Sequence, residues 1–92
     1  MLKIVEILNT DNFMVTCKFN NGKVKKINML PLLKNHENLK GIEQLHNQEI
    51  FKKVEIGKLG EIVWKQIITT TYNNETFVWD YDVCPDFAYQ LN

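Results

Sequence analysis

The 92-residue sequence contains no serine and no arginine. The first absence removes serine nucleophiles and serine-bearing phosphate loops. The second removes arginine fingers and bidentate arginine readout of guanine. Proline and cysteine number two each, which is too few for a proline-rich linker or a disulfide scaffold. Cys17 and Cys84 form no Cys-x-x-Cys pair and sit among apolar or strand-forming neighbours. They read as two buried free thiols rather than a disulfide. Apolar runs extend only a few residues, far short of the roughly 20 that a membrane-spanning helix needs. Glu6 interrupts Met1-Leu2-Lys3-Ile4-Val5 before a signal peptide's apolar region develops, so the expectation is a cytoplasmic protein with no membrane partner.

Net charge is missing too, because 11 lysines balance 11 acids. The distribution is lopsided: every lysine lies between Lys3 and Lys65, whereas Glu75, Asp80, Asp82 and Asp86 follow with none. Residues 12–36 hold no acid, and within them Lys18, Lys23, Lys25 and Lys26 form a candidate basic patch. Mutual attraction of the two ends, or a solvated lysine face, is the plainer reading. With 45% apolar residues and 11% aromatics, the chain reads as one globular domain over residues 1–92.

The hydrophobic pattern reads as an α+β fold: a small, mostly antiparallel sheet built from hairpins at about 13–28 and 61–83, with short helices at about 29–35 and 47–53 between them. Lys3 to Asn9 is β-branched and reads as a strand buried on much of both faces, followed by a turn at Asn9-Thr10-Asp11-Asn12. Phe13, Val15, Cys17 and Phe19 alternate with Met14, Thr16 and Lys18, the period of a half-buried strand. Asn20-Asn21-Gly22 predicts a primed hairpin turn into a lysine-rich edge strand. Asn28 and Asn47 are expected to cap the two helices, and Val54-Glu55-Ile56 to form a brief strand before the turn Gly57-Lys58-Leu59-Gly60. Pro85 to Gln90 reads as a terminal helical turn, with Asp86 near its free N–H groups.

Glu61 to Tyr72 and Thr76 to Val83 carry the chain's richest run of β-branched and aromatic residues. A two-residue turn at Asn73-Asn74 places Tyr72 opposite Glu75, Thr71 opposite Thr76 and Ile68 opposite Trp79. That register gathers Trp64, Ile68, Tyr72, Phe77, Trp79 and Tyr81, with Val83, on one face. A two-stranded ribbon cannot shield so many large side chains, so this face is the candidate interaction surface, to be covered by the domain, a second copy or another protein.

Catalytic and metal chemistry find little support. Asp80 and Asp82 on one strand, with Cys84 and Asp86 nearby, follow no calcium-loop spacing. His36 and His46 have no ligand at zinc spacing. No catalytic residue, metal or cofactor is expected, and the chain does not read as an enzyme. Two alternatives remain: a small-ligand binder or enzyme using Asp80, Asp82 and Cys84, and a nucleic-acid-binding accessory protein using the lysine hairpin with Phe13 and Phe19. Neutral charge and absent arginine weigh against nucleic acid as the partner.

The ordered pieces Phe19-Asn20-Asn21-Gly22-Lys23-Val24, Met29-Leu30-Pro31-Leu32-Leu33, Leu45 with Phe51 and Val54, and Gly60-Glu61-Ile62-Val63-Trp64 lead to Asp82-Val83-Cys84-Pro85-Asp86-Phe87-Ala88-Tyr89. In this order the chain resembles the small bacterial family catalogued as domain of unknown function 2442, over most of Lys3 to Tyr89. Asp82, Pro85, Asp86 and Tyr89 match the family's C-terminal motif. Here Lys65 to Tyr81 intervenes as an extended hairpin between the tryptophan strand and that motif. The resemblance implies an α+β domain without an assigned activity. Its relatives, some fused to helix-turn-helix modules or encoded in toxin–antitoxin-like neighbourhoods, imply a regulatory, partner-binding role by association only.

Overall fold

The computed structural model describes residues 1–91 as an α+β fold of two antiparallel three-stranded sheets and short helices. Strand β1 (Ile4–Asp11) returns as β2 (Met14–Phe19) through Asn12 and Phe13, both with positive φ (46° and 67°). The turn lies later than the sequence pattern placed it, because Thr10 and Asp11 still pair with Val15 and Met14. Phe13 is therefore a turn residue rather than the head of a strand. Its ring lies edge-on to Phe51 and His46, a set of contacts that helps hold a left-handed conformation unusual for an aromatic residue. The expectation that β1 is buried on both faces is wrong, since Val5 and Leu8 are exposed. This strand lies at a sheet edge, and register shifts after Ile4 and Ile7 break its alternation.

β2 continues into β3 (Val24–Asn28), the expected lysine-bearing edge strand. The connecting turn differs from the primed type. The Phe19 N–H donates to the Lys23 carbonyl (2.8 Å), the Gly22 N–H donates to the Phe19 carbonyl (2.9 Å), and within this loop only Gly22 has positive φ, at 88°. That is a three-residue loop closed by a glycine in the left-handed region. Asn20 is committed elsewhere: its N–H donates to the Lys3 carbonyl and its side chain bonds Lys3 N and Met1 O.

The N-cap of α1 (Leu30–Asn35) is Met29 rather than the expected Asn28, whose Oδ1 accepts from Leu30 N (3.1 Å) one residue ahead of it; the helix buries Leu32 and Leu33. A 3₁₀ turn, Ile42–His46, leads to α2 (Gln48–Phe51), capped as expected by Asn47 Oδ1 accepting from Glu49 N (2.9 Å). α2 stops short of Lys53. The indole N–H of Trp64 donates to the Phe51 carbonyl at 2.9 Å, occupying an acceptor that another helical turn would use.

The second sheet joins β4 (Glu55–Ile56), β5 (Ile62–Tyr72) and β6 (Glu75–Val83) in that order. Asn73 and Asn74 (φ 50° and 66°) make the two-residue turn, with Tyr72 opposite Glu75, Thr71 opposite Thr76 and Ile68 opposite Trp79. The pairing then jumps to Trp64 opposite Tyr81, so residues 65–67 form a bulge around Gln66 at φ 55°. This bulge buries both Ile67 and Ile68, consecutive residues that a regular strand would send to opposite faces. It is pinned from the 3₁₀ side: Gln44 Nε2 donates to the Ile67 carbonyl (3.1 Å) and Thr69 N donates to the Lys40 carbonyl (2.9 Å). Gly41, at φ 104°, sits so close that a Cβ there would lie 2.0 Å from the same carbonyl.

The single expected sheet is thus two, touching where Ile4 N donates to the Gly60 carbonyl (2.9 Å). Helix α3 (Pro85–Gln90) closes the core by setting Tyr89 edge-on to Phe19, with ring centroids 5.0 Å apart. Cys17 is buried and free as expected, but Cys84, also free, is exposed, because it is the extended residue that caps α3.

Candidate functional site

Every residue from Thr70 to Asp80 is exposed. At about 3.3 Å per residue, β5 runs about 13 Å beyond Ile68 before it turns. The molecule is elongated accordingly, with extents of 46 × 27 × 21 Å and a radius of gyration of 13.5 Å. A compact chain of this length has a radius of gyration of about 12 Å. Thr-rich β5, β-branched and aromatic β6 and the left-handed pair Asn73-Asn74 favour the ribbon locally.

The structure divides the expected aromatic face into two parts. Trp64, Ile68 and Tyr81 are core, not surface. Trp64 packs on Phe51 and Tyr81 with ring centroids 5.3 and 6.0 Å away. Tyr81 lies within 2.6 Å of His36 Nδ1 through its hydroxyl. The tip half stays open: Tyr72 is 70% exposed, Phe77 41% and Trp79 55%. Val78, on the reverse side, is 53% exposed. The boundary falls just past the bulge: Trp64 packs on Phe51 of α2, Tyr81 reaches His36 after α1, Ile67 and Ile68 are buried, and from Thr70 to the turn β5 is exposed. Trp79 is held flat on the ribbon by its indole N–H, which donates to Thr70 Oγ1 at 2.8 Å. Val78 falls on the reverse face, where the alternation that groups Phe77 with Trp79 puts it, whereas nothing in the sequence pattern singled out Thr70 as the partner of the indole.

The four lysines do not share a face. Pairing of Cys17 with Lys25 turns Lys25 toward the α3 side, where its Nζ donates to the Tyr89 carbonyl and lies 4.3 Å from that ring's centroid. Lys18 and Lys26 project from the opposite face, and Lys23 belongs to the hairpin end. Phe19 is fully buried and Phe13 packs on Phe51, so neither ring stands beside the lysines for base stacking.

The acidic residues are likewise divided. Asp80 serves the bulge, accepting from Gln66 N (2.9 Å) and standing 3.8 Å from Lys65 Nζ, a solvated pair worth little. Asp82, Cys84 and Asp86 line a cavity of about 250 Å³ with Glu61 and the apolar residues Met1, Leu2, Leu59 and Pro85. Glu61 had no role in the sequence reading; its carboxylate accepts from Leu59 N (3.0 Å) and braces the turn before β5. Among the described residues, no three His, Cys, Asp or Glu side chains are placed to hold a metal ion. Pro85 and Asp86 sit in the first turn of α3 as the sequence suggested. His36 and His46 are separate, one at Tyr81 and the other against Phe13.

Cys17 and Tyr81, both in the core, are electrostatically displaced. Burial pushes the Cys17 thiol up to about 11. Burial, then the neighbouring Asp82 charge, pushes the Tyr81 phenol up to about 12. Both changes disfavour the anion, the opposite of what a reactive nucleophile requires. No helix among the described residues is long and apolar enough to cross a membrane. Comparison with family models, curated proteins and solved structures gives no match.

Proposed function

We propose that the chain is a non-enzymatic interaction module, of regulatory type and acting in the cytoplasm, that docks onto another protein chain through the β5–β6 ribbon. The observation that carries this reading is the exposure of Tyr72, Phe77 and Trp79 together on a structured arm clear of the core. Exposed aromatic clusters on rigid elements are the usual anchors of protein interfaces, since they bring large contact area at low entropic cost. The resemblance to the domain of unknown function 2442 family supports the regulatory part, and it concerns the core rather than the arm, which that family's pattern lacks.

The test is affinity capture from the native host with the full chain as bait, beside a Phe77→Ala/Trp79→Ala bait and a Lys18→Glu/Lys26→Glu bait. Proteins retained by the parent and the lysine variant, but lost by the aromatic variant, are the expected result. Equal capture by parent and aromatic variant, or no capture by either, overturns the proposal. Loss confined to the lysine variant, with nucleic acid in the eluate, favours the basic-hairpin reading instead.

A further inference from the structure

Among the described residues, β6 is the outer strand of its sheet and pairs with β5 alone. A two-residue turn makes Tyr72 and Glu75 a hydrogen-bonded pair, and alternation gives Thr70–Phe77 and Ile68–Trp79 the same status. The N–H and C=O groups of Phe77 and Trp79 therefore point into the ribbon. Those of Thr76, Val78 and Asp80 point away from it, along an edge whose residues are all exposed. Edges of this kind are commonly blunted by charged side chains, above all lysine, by proline or by a bulge. On β6 the charges Glu75 and Asp80 only bound the stretch, Thr76 to Trp79 carries neither charge nor proline, and the 65–67 bulge lies on β5.

Resting on the reading of this ribbon as the docking element, we infer that its partner is a second copy of the chain, joined by antiparallel pairing of β6 with β6 about Val78. The sequence of the edge is complementary to itself in that arrangement. Val78 meets Val78 at the two-fold axis, and Thr76 meets Asp80 of the other copy on either side, using the outward-facing backbone groups. Phe77 then stands opposite Trp79 of the other copy in a non-hydrogen-bonded position, the closer of the two cross-strand spacings, and the reciprocal pair forms on the same face. No like charges face each other, because Asp80 meets a threonine. The two bodies lie at opposite ends of the joined ribbons, and the two sheets become one continuous sheet. The strand segment is short, so the buried area falls below the roughly 1,200 Å² of a standard interface, and association is reversible and concentration-dependent.

Sedimentation equilibrium of the full chain from micromolar to millimolar concentration is the test. The weight-average mass should climb toward twice the monomer, with a blue shift of Trp79 emission. Val78→Lys, which places two ammonium groups against each other, and Val78→Pro, which removes an outward-facing N–H that β5 does not use, should weaken association at least about tenfold. Circular dichroism of each variant checks that the ribbon persists, and Val24→Lys on the free edge of β3 should leave association unchanged. A parent that stays monomeric throughout, or association insensitive to both Val78 variants, overturns the inference. If the parent is monomeric while capture of another protein still depends on Phe77 and Trp79, self-pairing fails and the docking reading stands. If neither self-association nor capture depends on the ribbon, both fail.

Discussion

The chain's two tryptophans, Trp64 and Trp79, occupy opposite halves of one ribbon face and should respond to truncation in opposite ways. Trp64 is 1% exposed, packs on Phe51 and Tyr81, and donates its indole N–H to the Phe51 carbonyl. Replacing such a side chain with alanine costs about 3–5 kcal/mol, against a total of about 5–15 kcal/mol for a typical domain. Trp64→Ala should therefore be barely folded. Trp64→Phe keeps a ring in place and leaves the Phe51 carbonyl only the longer 3.4 Å bond from Val54 N, at a cost of about 1–3 kcal/mol. Trp79→Ala loses one exposed hydrogen bond and a cross-strand contact with Ile68, worth about 0.2–1 kcal/mol. Urea unfolding followed by circular dichroism, at low micromolar protein so that association adds nothing, reads all three. The expected order of cost is Trp64→Ala, then Trp64→Phe, then Trp79→Ala. If Trp79→Ala is as costly as Trp64→Ala, the ribbon tip is part of the folding core and the division at the bulge is wrong.

High pH should also find the core. Cys17 and Tyr81 hold their protons in the native state up to about 11 and about 12, against ordinary values of 9.0 and 10.0. Below those ordinary values both contributions are fully present. Above them the unfolded chain loses its protons first, so stability declines as pH rises through the native values, by up to about 3 kcal/mol per group. Urea midpoints should fall across this range, with Cys17→Ala flattening the lower part and Tyr81→Phe the upper; unchanged midpoints would refute the assignment. At the ribbon turn, Asn74→Gly relieves a φ of 66° and Asn74→Val aggravates it, by about 1 kcal/mol each way. A shift of that size moves the melting temperature by about 4–8 °C in opposite directions. Gly41→Ala should cost more than about 2 kcal/mol, because its Cβ would meet the Ile67 carbonyl. Gly22→Ala, with open space around it, should cost only about 1 kcal/mol for its φ. Equal melting points for the two glycine variants would contradict the packing at the bulge.

Locally encoded features were legible in the residues themselves. Asn47 caps α2 by accepting the Glu49 N–H, Asn28 accepts the Leu30 N–H one residue ahead of the Met29 N-cap of α1, Asn73-Asn74 closes the long ribbon in the expected register, and Pro85 opens α3. Each depends on contacts within a few positions, so short-range chemistry suffices. The misreadings share a different origin. Phe13 in its turn, the early stop of α2 and the burial of Ile67 depend on Phe51 and His46, on the Trp64 indole and on Gln44, all distant in sequence.

The same distinction governs the interaction surface. Alternation alone determined that Phe77, Trp79 and Tyr81 share a side, because side chains on a strand repeat every two residues. Only the tertiary structure decided that Tyr81 is spent on the core while Phe77 and Trp79 face water. That outcome turns on where the 65–67 bulge lets the ribbon leave the body, and the bulge is held by Gln44 and by the close approach of Gly41. Periodicity is a property of the strand; exposure is a property of what the rest of the chain brings against it.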